Sequence, residues 1–298
     1  MPPTVAEIFI GSDYDDTFYV DDIDASVIED PESGTDEIIS SVDYSLPPNI
    51  ENLTLTGTAV IGTGNELPNR ITGDDMDNVI DGGANTDPDL GDTVAGGKGD
   101  DTYNLKNASD VVLENENEGT DTVLSPFDCS LPQNVENLTL TGTAISGAGN
   151  DLPNLIIGND MDNHITGWQN QDASLGDTIA GGKGNDTYYL KSQNHLVLEN
   201  ENEGIDTVIS IRDYALTQNV ENLILQDFSI RATGNELANR IIGNRQNNII
   251  DGGANTDPET GDIMEGGEGD DIYFVHNIHD VVVENYFEGT DTVVSSID

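Results

Sequence analysis

The sequence predicts an all-β, right-handed parallel β-solenoid, and three observations predict it. A phrase of glycines, aspartates and one aromatic residue recurs at a constant interval of 85 residues, opening at Gly96, Gly181 and Gly266. Shorter phrases of about nine residues run head to tail inside each interval, and no segment shows a helical period. Repeats that bury their apolar faces only by stacking on their neighbours form solenoids.

The long repeat divides the chain without an insertion or deletion. ENLTL at 51–55 returns as ENLTL at 136–140 and as ENLIL at 221–225. One interval before Gly96 lies Gly11, which opens GSDYDDTFYV, a weaker version of the recurring phrase. We therefore expect a single continuous solenoid over 1–298, with repeats at 11–95, 96–180 and 181–265 and a partial repeat at 266–298.

Each short phrase predicts half a coil. GNELPNRIT (64–72), GDDMDNVID (73–81) and GGKGDDTYN (96–104) open with glycine and carry Asn or Asp late, with an apolar or aromatic residue two places further on. Glycine permits the backbone conformations of tight turns, and Asn and Asp bond their own backbone there. Nine residues provide one short strand and one turn, so we expect two nonapeptides per coil, with strands on opposite sheets.

The composition predicts that the chain binds cations. The chain has 298 residues and a net charge of −49, from 58 acidic and 9 basic residues, and only 35% of it is hydrophobic. Such a composition normally predicts disorder, because the chain repels itself and has little apolar surface to bury. Multivalent cations would offset the repulsion. The charge argues against nucleic acid and anionic membranes as partners, and no apolar run is long enough to span a membrane.

Three smaller features favour unremarkable roles. The single cysteine, Cys129, excludes an intrachain disulfide framework, and it stands where Tyr44 and Tyr214 stand in other repeats, so we interpret it as a packing residue. The opening MPPTVAEIFIGSDYDD lacks a basic region, so we expect no conventional signal peptide. His276 and His279 form an HxxH pair in a variable corner, which favours surface residues over a zinc site.

The stretch GGKGDDTYNL (96–105) has the chemistry of a calcium turn. Calcium takes six to eight oxygen ligands, including carboxylates and backbone carbonyls. A glycine-rich turn can direct several carbonyls to one point, and Asp101 can add its carboxylate. A phosphate loop would need a lysine directly followed by a hydroxyl residue after the glycines, and no such pair follows here.

GGKGDDTYN, GGKGNDTYY and GGEGDDIYF also match the calcium-binding nonapeptide GGxGxDxUx at every fixed position, and we call them the strict motifs. The chain thus resembles the hemolysin-type calcium-binding repeats of the RTX (repeats-in-toxin) family. The resemblance implies a calcium-stabilised parallel β-roll in a bacterial protein exported by type I secretion. The family's secretion signal lies beyond its repeats, so we expect this chain to accompany other domains of a larger secreted protein.

Carried over to this sequence, the resemblance implies a set of calcium ligands. Carboxylates would come from the aspartate of each strict motif, and from the aspartate at the late position of the preceding nonapeptide as a second candidate. Carbonyls would come from the glycines. The carboxylate ligands are Asp101, Asp186 and Asp271, then Asp92, Asp177 and Asp262; the carbonyl ligands are Gly96, Gly97, Gly99, Gly181, Gly182, Gly184, Gly266, Gly267 and Gly269.

Several positions depart from the family pattern. Asn78, Asn163 and Asn248 hold the late position one coil earlier, and we expect those turns to be capped by the asparagine without an ion. Ser12 and Tyr14 replace glycines in the first copy, which puts a site at Asp16 in doubt. Trp168 replaces the second glycine of GGANTD, which puts that turn in doubt as well.

Two further acidic segments have open readings. NTDPDLGD (85–92) alternates oxygen-bearing residues as a calcium loop does, but Asp89 becomes Ser174 and then Glu259, which favours an ordinary Asx-turn corner. EGTD (118–121) could place Asp121 beside Asp101 on the same edge.

We interpret the chain as a non-enzymatic, calcium-binding scaffold module of a secreted protein that folds on calcium after export. One alternative is an extracellular adhesin or ice-binding surface, although Thr54, Thr56 and Thr58 form a threonine phrase only once per repeat. A β-solenoid enzyme acting on polysaccharides is a second alternative. It would need a basic residue near the substrate, and the nine basic residues are scattered.

Overall fold

The computed structural model describes residues 7–297, and all regular structure in this range is β-strand. The chain divides into two compact units, Met1–Gly142 and Thr143–Asp298. The first six residues of the predicted non-signal stretch and the last residue of the partial repeat lie outside the described range. Within that range, no helix is long and apolar enough to cross a membrane. The single continuous solenoid and its 85-residue boundaries stay predictions.

The strands of the N-terminal unit are two to four residues long. They are β1 (Ile8–Ile10), β2 (Thr17–Val20), β3 (Ser26–Ile28), β4 (Glu37–Ser40), β5 (Tyr44–Ser45), β6 (Asn52–Leu55), β7 (Ile61–Thr63), β8 (Arg70–Thr72), β9 (Val79–Asp81), β10 (Thr93–Ala95), β11 (Thr102–Asn104), β12 (Val111–Val112), β13 (Thr122–Ser125), β14 (Cys129–Ser130) and β15 (Asn137–Leu140).

Strands in this unit pair in parallel with the strand two places along the chain. The even strands from β2 to β12 form one sheet, the odd strands from β5 to β15 lie together in another, and β1 pairs with β3. Ile61 pairs with Val79, two nonapeptides further on, which confirms that two nonapeptides make one coil. The predicted all-β parallel solenoid is therefore the observed fold of the unit.

The C-terminal unit follows the same rule. Its even strands from β16 to β30 form one sheet, while β17, β19 and β21 form a row and β23 to β31 a further sheet of odd strands. The strands are β16 (Ser146–Ala148), β17 (Leu155–Ile157), β18 (His164–Gly167), β19 (Thr178–Ala180), β20 (Thr187–Leu190), β21 (Leu196–Val197), β22 (Thr207–Ser210), β23 (Tyr214–Ala215), β24 (Asn222–Leu225), β25 (Arg231–Thr233), β26 (Arg240–Ile242), β27 (Ile249–Asp251), β28 (Ile263–Glu265), β29 (Ile272–Val275), β30 (Val281–Val283) and β31 (Thr292–Ser295).

One inward side chain in each central three-residue strand, and two in most four-residue strands, make the core. The apolar or aromatic residue two places after each Asn or Asp is buried, as at Ile71, Ile80, Val94 and Tyr103. Neighbours on either side point outward, which is the period of two expected of a strand. The core is therefore a thin stack, and the turns that flank it carry much of the polar contact between coils.

Each 85-residue repeat contains nine strands, and this odd number alternates the faces. The equivalent strands β2 and β11 belong to different sheets of the N-terminal unit. In the C-terminal unit, β20 and β29 likewise belong to different sheets. Equivalent turns of consecutive repeats within a unit therefore lie on opposite sheets, although they carry versions of the same motif.

Candidate metal centres

Four groups of two aspartates and one glutamate are brought together by the coils. In each group, one carboxylate oxygen of every member lies within 4.8 Å of the other two. The members keep the same spacing in sequence, and the groups recur with the 85-residue repeat. These acidic triads are Asp16–Glu29–Asp36, Asp101–Glu114–Asp121, Asp186–Glu199–Asp206 and Asp271–Glu284–Asp291.

Three consecutive strands position the triad of the second repeat. Asp101 directly precedes β11 and Asp121 directly precedes β13, and these two strands are neighbours in one sheet. Glu114 follows β12 of the other sheet, in the loop that returns to β13. The Thr122 amide donates to the Asp101 carbonyl at 2.8 Å, which holds the two aspartates one coil apart. The expected proximity of Asp121 to Asp101 is confirmed.

A ladder of backbone amides occupies one oxygen of each aspartate. The Asn78 amide donates to Asp101 Oδ1 at 2.6 Å, and the Asp101 amide donates to Asp121 Oδ1 at 2.9 Å. The remaining oxygens, Oδ2 of Asp101 and Asp121 and Oε2 of Glu114, are buried and have no hydrogen-bond partner among residues 7–297. The carboxylates of this triad therefore lie close together, and each of them has one buried oxygen without a partner among these residues.

Such an arrangement fits a cation. A buried carboxylate oxygen without a partner is costly, and three together add mutual repulsion. A divalent cation would offset both effects, and an all-oxygen set suits hard cations better than zinc or copper, which prefer nitrogen or sulfur ligands. The acidic triads can therefore hold metal ions.

The electrostatics of the triads point the same way. Burial, and to a lesser extent neighbouring carboxylates, raises the pKa of Asp101 and Asp121 to about 6 and that of Glu114 to about 7. In the third repeat the same causes raise the pKa of Asp186 to about 7 and that of Glu199 to about 8. Without a cation, the fold therefore favours the protonated forms of these groups.

In the first triad the structure brings Asp16 together with Glu29 and Asp36, and the expectation of a doubtful site at Asp16 stays a prediction. Its turn nevertheless differs from the strict ones. The Ser12 amide and hydroxyl both donate to Asp16 Oδ2, at 2.6 and 2.9 Å. Only Glu29 Oε2 in this triad is buried and unpartnered within the described residues.

The glycines whose carbonyls are predicted calcium ligands lie within the strict turns. Gly96 packs against Asp101 so closely that a Cβ would lie 2.0 Å from Oδ2. Gly97 and Gly99, with φ of +97° and +118°, back onto the preceding turn at Asp74 and Met76. The equivalent glycines at 181, 182, 184, 266, 267 and 269 repeat this placement. Ligation by their carbonyls stays a prediction.

The second-candidate aspartates, Asp92, Asp177 and Asp262, are fully buried, but none belongs to one of the described triads. Asp92 lies in a similar amide ladder: its Oδ1 accepts from the Asn69 amide at 2.8 Å, and its own amide donates to Asp110 Oδ1 at 2.9 Å. Its Oδ2 has no hydrogen-bond partner in the described range. Metal ligation at these three positions also stays a prediction.

The third repeat replaces the partner aspartate of this ladder by a histidine. His195 stands where Asp110 stands one repeat earlier, and its Nδ1 accepts from the Asp177 amide at 2.9 Å. The same nitrogen lies 3.3 Å from Asp177 Oδ2. Burial lowers the pKa of His195 to about 4, so the ring is neutral at pH 7 and this contact is not an ion pair. Lys191, nearby in sequence, lies 3.5 Å over the Trp168 ring.

The asparagine turns are capped as expected. Asn78 Oδ1 accepts from the Asp74 amide at 2.9 Å, and its Nδ2 donates to the Ala59 carbonyl at 3.3 Å. Asn163 repeats this pattern with the Asn159 amide and the Ala144 carbonyl. These turns use their side-chain oxygen and amide within the fold.

The remaining sequence candidates form surface contacts. In the 85–92 insert, the Asp89 amide donates to Asp87 Oδ1 at 3.0 Å, which is the favoured Asx turn. His276 Nε2 lies 2.9 Å from Asp251 Oδ1, and within residues 7–297 His276 and His279 belong to no metal-binding group. Burial raises the pKa of the Cys129 thiol, which opposes nucleophilic reactivity.

Sequence reasoning missed the glutamate of every triad. Glu29, Glu114, Glu199 and Glu284 stand at the same place in all four copies, in phrases such as LENENEG. Their constancy across repeats was the available signal. It was obscured because the phrase reads as a solvated acidic loop between two short strands.

No protein family model matches the chain. A segment of 66 residues is 41% identical to an endo-1,3-1,4-beta-glycanase (ExsH) of Rhizobium meliloti (strain 1021), and a match of the same length and identity exists to a second endo-1,3-1,4-beta-glycanase (EglC) of that organism. Each match covers 22% of this chain and 14% of the relative. The chain is similar to a small part of two glycanases, and their activity belongs to those proteins.

Proposed function

We propose that the chain is a calcium-binding scaffold module of a secreted bacterial protein, which completes its folding on calcium after export. One observation carries the proposal: carboxylates converge in triads that recur with the 85-residue repeat, and within the described residues each triad has at least one buried carboxylate oxygen without a hydrogen-bond partner. The strict GGxGxD motifs that begin three of these triads support calcium in particular.

The donor set favours calcium over magnesium. Calcium accepts six to eight oxygens in flexible geometry at about 2.3–2.6 Å, whereas magnesium demands a near-ideal octahedron and retains several waters. Each triad offers three carboxylates, and the turn carbonyls beside them can extend the set. A buried, carboxylate-rich and partly backbone site of this kind suits an ion that sheds its water readily.

Calcium would decide the balance between folded and unfolded chain. Extracellular calcium modules bind with dissociation constants of about 10⁻⁴ to 10⁻³ M, and a tenfold excess adds about 1.4 kcal/mol per site. Four triads would add about 6 kcal/mol, comparable to the stability of a whole domain. At micromolar calcium inside a cell the term nearly vanishes, which suits export of an unfolded chain.

We propose that this module accompanies a catalytic domain acting on polysaccharides, and the partial matches to two glycanases support this proposal. For an ice-binding or adhesive surface, a free ladder of hydroxyls would be needed. Thr54, Thr56 and Thr58 instead donate their hydroxyls to Glu37, to the Ser40 carbonyl and to the Ser41 carbonyl. Because these hydroxyls are already bonded within the fold, the contacts favour a scaffold module over an ice-binding or adhesive surface.

The test is a calcium titration of the full chain followed by far-UV circular dichroism, with magnesium as the control ion. We expect a cooperative gain of β-structure at submillimolar to millimolar calcium and no such gain with magnesium. The variant D101N/D186N/D271N should require at least tenfold more calcium. A chain that is fully folded in chelator and binds no calcium in equilibrium dialysis would overturn the proposal.

A further inference from the structure

A buried tyrosine contacts the glutamate of each strict triad, and in two of the three it also contacts the glycine turn. Tyr103, two residues after Asp101, is fully buried on β11. Its hydroxyl accepts from the Gly96 amide at 2.7 Å and donates to Glu114 Oε1.

The same link recurs in the other two strict repeats. Tyr188 donates to Glu199, and Tyr273 donates to Glu284 while accepting from the Gly266 amide at 2.7 Å. Three copies of one contact, on strands of different sheets, indicate a constant requirement of the turn.

We propose that Tyr103, Tyr188 and Tyr273 are positioning residues that hold the triad glutamate ready for calcium; this inference rests on the proposed calcium function. In the second triad, Asp101 and Asp121 are already held by the amide ladder at Oδ1, and their Oδ2 atoms have no hydrogen-bond partner in the described range. Glu114 lies outside that ladder. Tyr103 holds its Oε1 in the same way, and its buried Oε2 is likewise without a partner among the described residues.

The physical advantage is preorganisation. A free glutamate side chain loses about 1.5–2 kcal/mol of rotamer entropy when it is fixed. A tyrosine that fixes the side chain before the ion arrives removes part of this cost from binding, as hydrogen bonds to metal ligands do in other metal sites. Because the hydroxyl is anchored on the Gly96 amide, it also ties the glutamate to the turn that would supply carbonyls.

The first repeat shows that packing does not require the hydroxyl. Phe18 occupies the equivalent core position and is 7% exposed. In that triad Glu29 Oε1 instead accepts from the Ser33 hydroxyl and the Asp30 amide. Phenylalanine therefore fills the same slot, and the hydroxyl of the other three repeats has a separate role.

The test compares two triple variants of the full chain in equilibrium dialysis against calcium. Y103F/Y188F/Y273F removes the three positioning hydroxyls, and the control Y14F/Y19F/Y189F removes three exposed ones. We expect the first variant to weaken three sites by about 10–100-fold, the range for partners of metal ligands. The control should bind as the wild type does.

A double-mutant cycle separates positioning from general stability, and it uses single changes that perturb the fold less. If Tyr188 acts through Glu199, Y188F should lower the affinity of that site in the wild type and have no further effect in E199Q. Equal binding by the wild type and Y103F/Y188F/Y273F would overturn the inference, as would full additivity of Y188F and E199Q. A wild type that binds no calcium would instead overturn the proposed function.

Discussion

Two turns that precede neighbouring strands, 73–78 before β9 and 96–101 before β11, support the same coil geometry in opposite ways. In GDDMDN, the Asp74 amide caps Asn78 Oδ1, and Nδ2 of Asn78 finds a carbonyl. In GGKGDD, the Gly96 amide bonds a tyrosine instead, and Asp101 Oδ2 is left open within the described residues. One turn pairs its own side-chain oxygen, and the other leaves a buried oxygen that a cation could pair.

Gly97 marks the difference between them. It stands where Asp74 stands in the asparagine turn and where Ser12 stands in the first repeat, and at both of those positions the amide caps the following side chain. Gly97 has φ of +97°, a conformation that residues with a side chain rarely adopt. The second glycine of the motif therefore keeps the amide away from the aspartate, which leaves an oxygen free for an ion.

Acidification should act on the aspartate turns only, and we expect the largest effect from it. The folded-state pKa values of Asp101, Asp121, Asp186, Glu114 and Glu199 lie at about 6 to 8, above those of the unfolded chain. In chelator the folded state binds more protons, so stability falls as pH rises from about 4 to 8. With calcium bound, protons compete with the ion and stability should instead fall on acidification.

The measurement is thermal unfolding at several pH values, in one series with chelator and in another with about 10 mM calcium. Both series are kept at the same ionic strength, because salt screens charge interactions. Opposite slopes in the two series are expected. Parallel slopes would show that the general negative charge, and not the triads, controls the pH response.

Converting an asparagine turn into an aspartate turn should destabilise the chain without creating a site. In N163D, the new carboxylate would face the Ala144 carbonyl and lose the donors that Asn163 supplies. We expect a loss of about 3 kcal/mol at pH 8, with or without calcium, because a buried charge is left unpaired. Q193E adds the same charge at an exposed position and is the control for chemical denaturation. An extra calcium ion bound by N163D would contradict the comparison.

Closing a strict turn should give the smallest of the three effects. G182S copies Ser12 of the first repeat, and its Cβ would lie 2.8 Å from the Asn159 carbonyl at a φ of +94°. We expect the substitution to strain the backbone by about 1–3 kcal/mol. The strain would be relieved if the turn rearranged so that the amide of residue 182 donated to Asp186, as the Ser12 amide does to Asp16. G57S, at a φ of +69° with a nearest contact of 3.4 Å, is the matched control and should retain wild-type calcium binding. Unchanged calcium affinity in G182S, measured by dialysis, would show that this glycine is not what leaves the Asp186 oxygen free for an ion.

The periodic features of the fold could be predicted from the sequence because they are local. Two nonapeptides per coil follow from strand and turn lengths, and the inward position of Ile71, Ile80, Val94 and Tyr103 follows from the pattern alone. Asp101 could be identified as a site residue because its motif is contiguous. Asn78 could be identified as a capping residue for the same reason.

Glu114 could not be placed in this way, because it reaches the site from the opposite sheet and its loop lies between two coils. The sequence by itself determined the parallel solenoid, its repeat and the aspartates of the strict turns, since these depend on short-range spacing. Only the tertiary structure decided that a glutamate and a second aspartate complete each triad, and that nine strands per repeat place equivalent triads of a unit on opposite sheets. Both depend on how coil lengths add up in space.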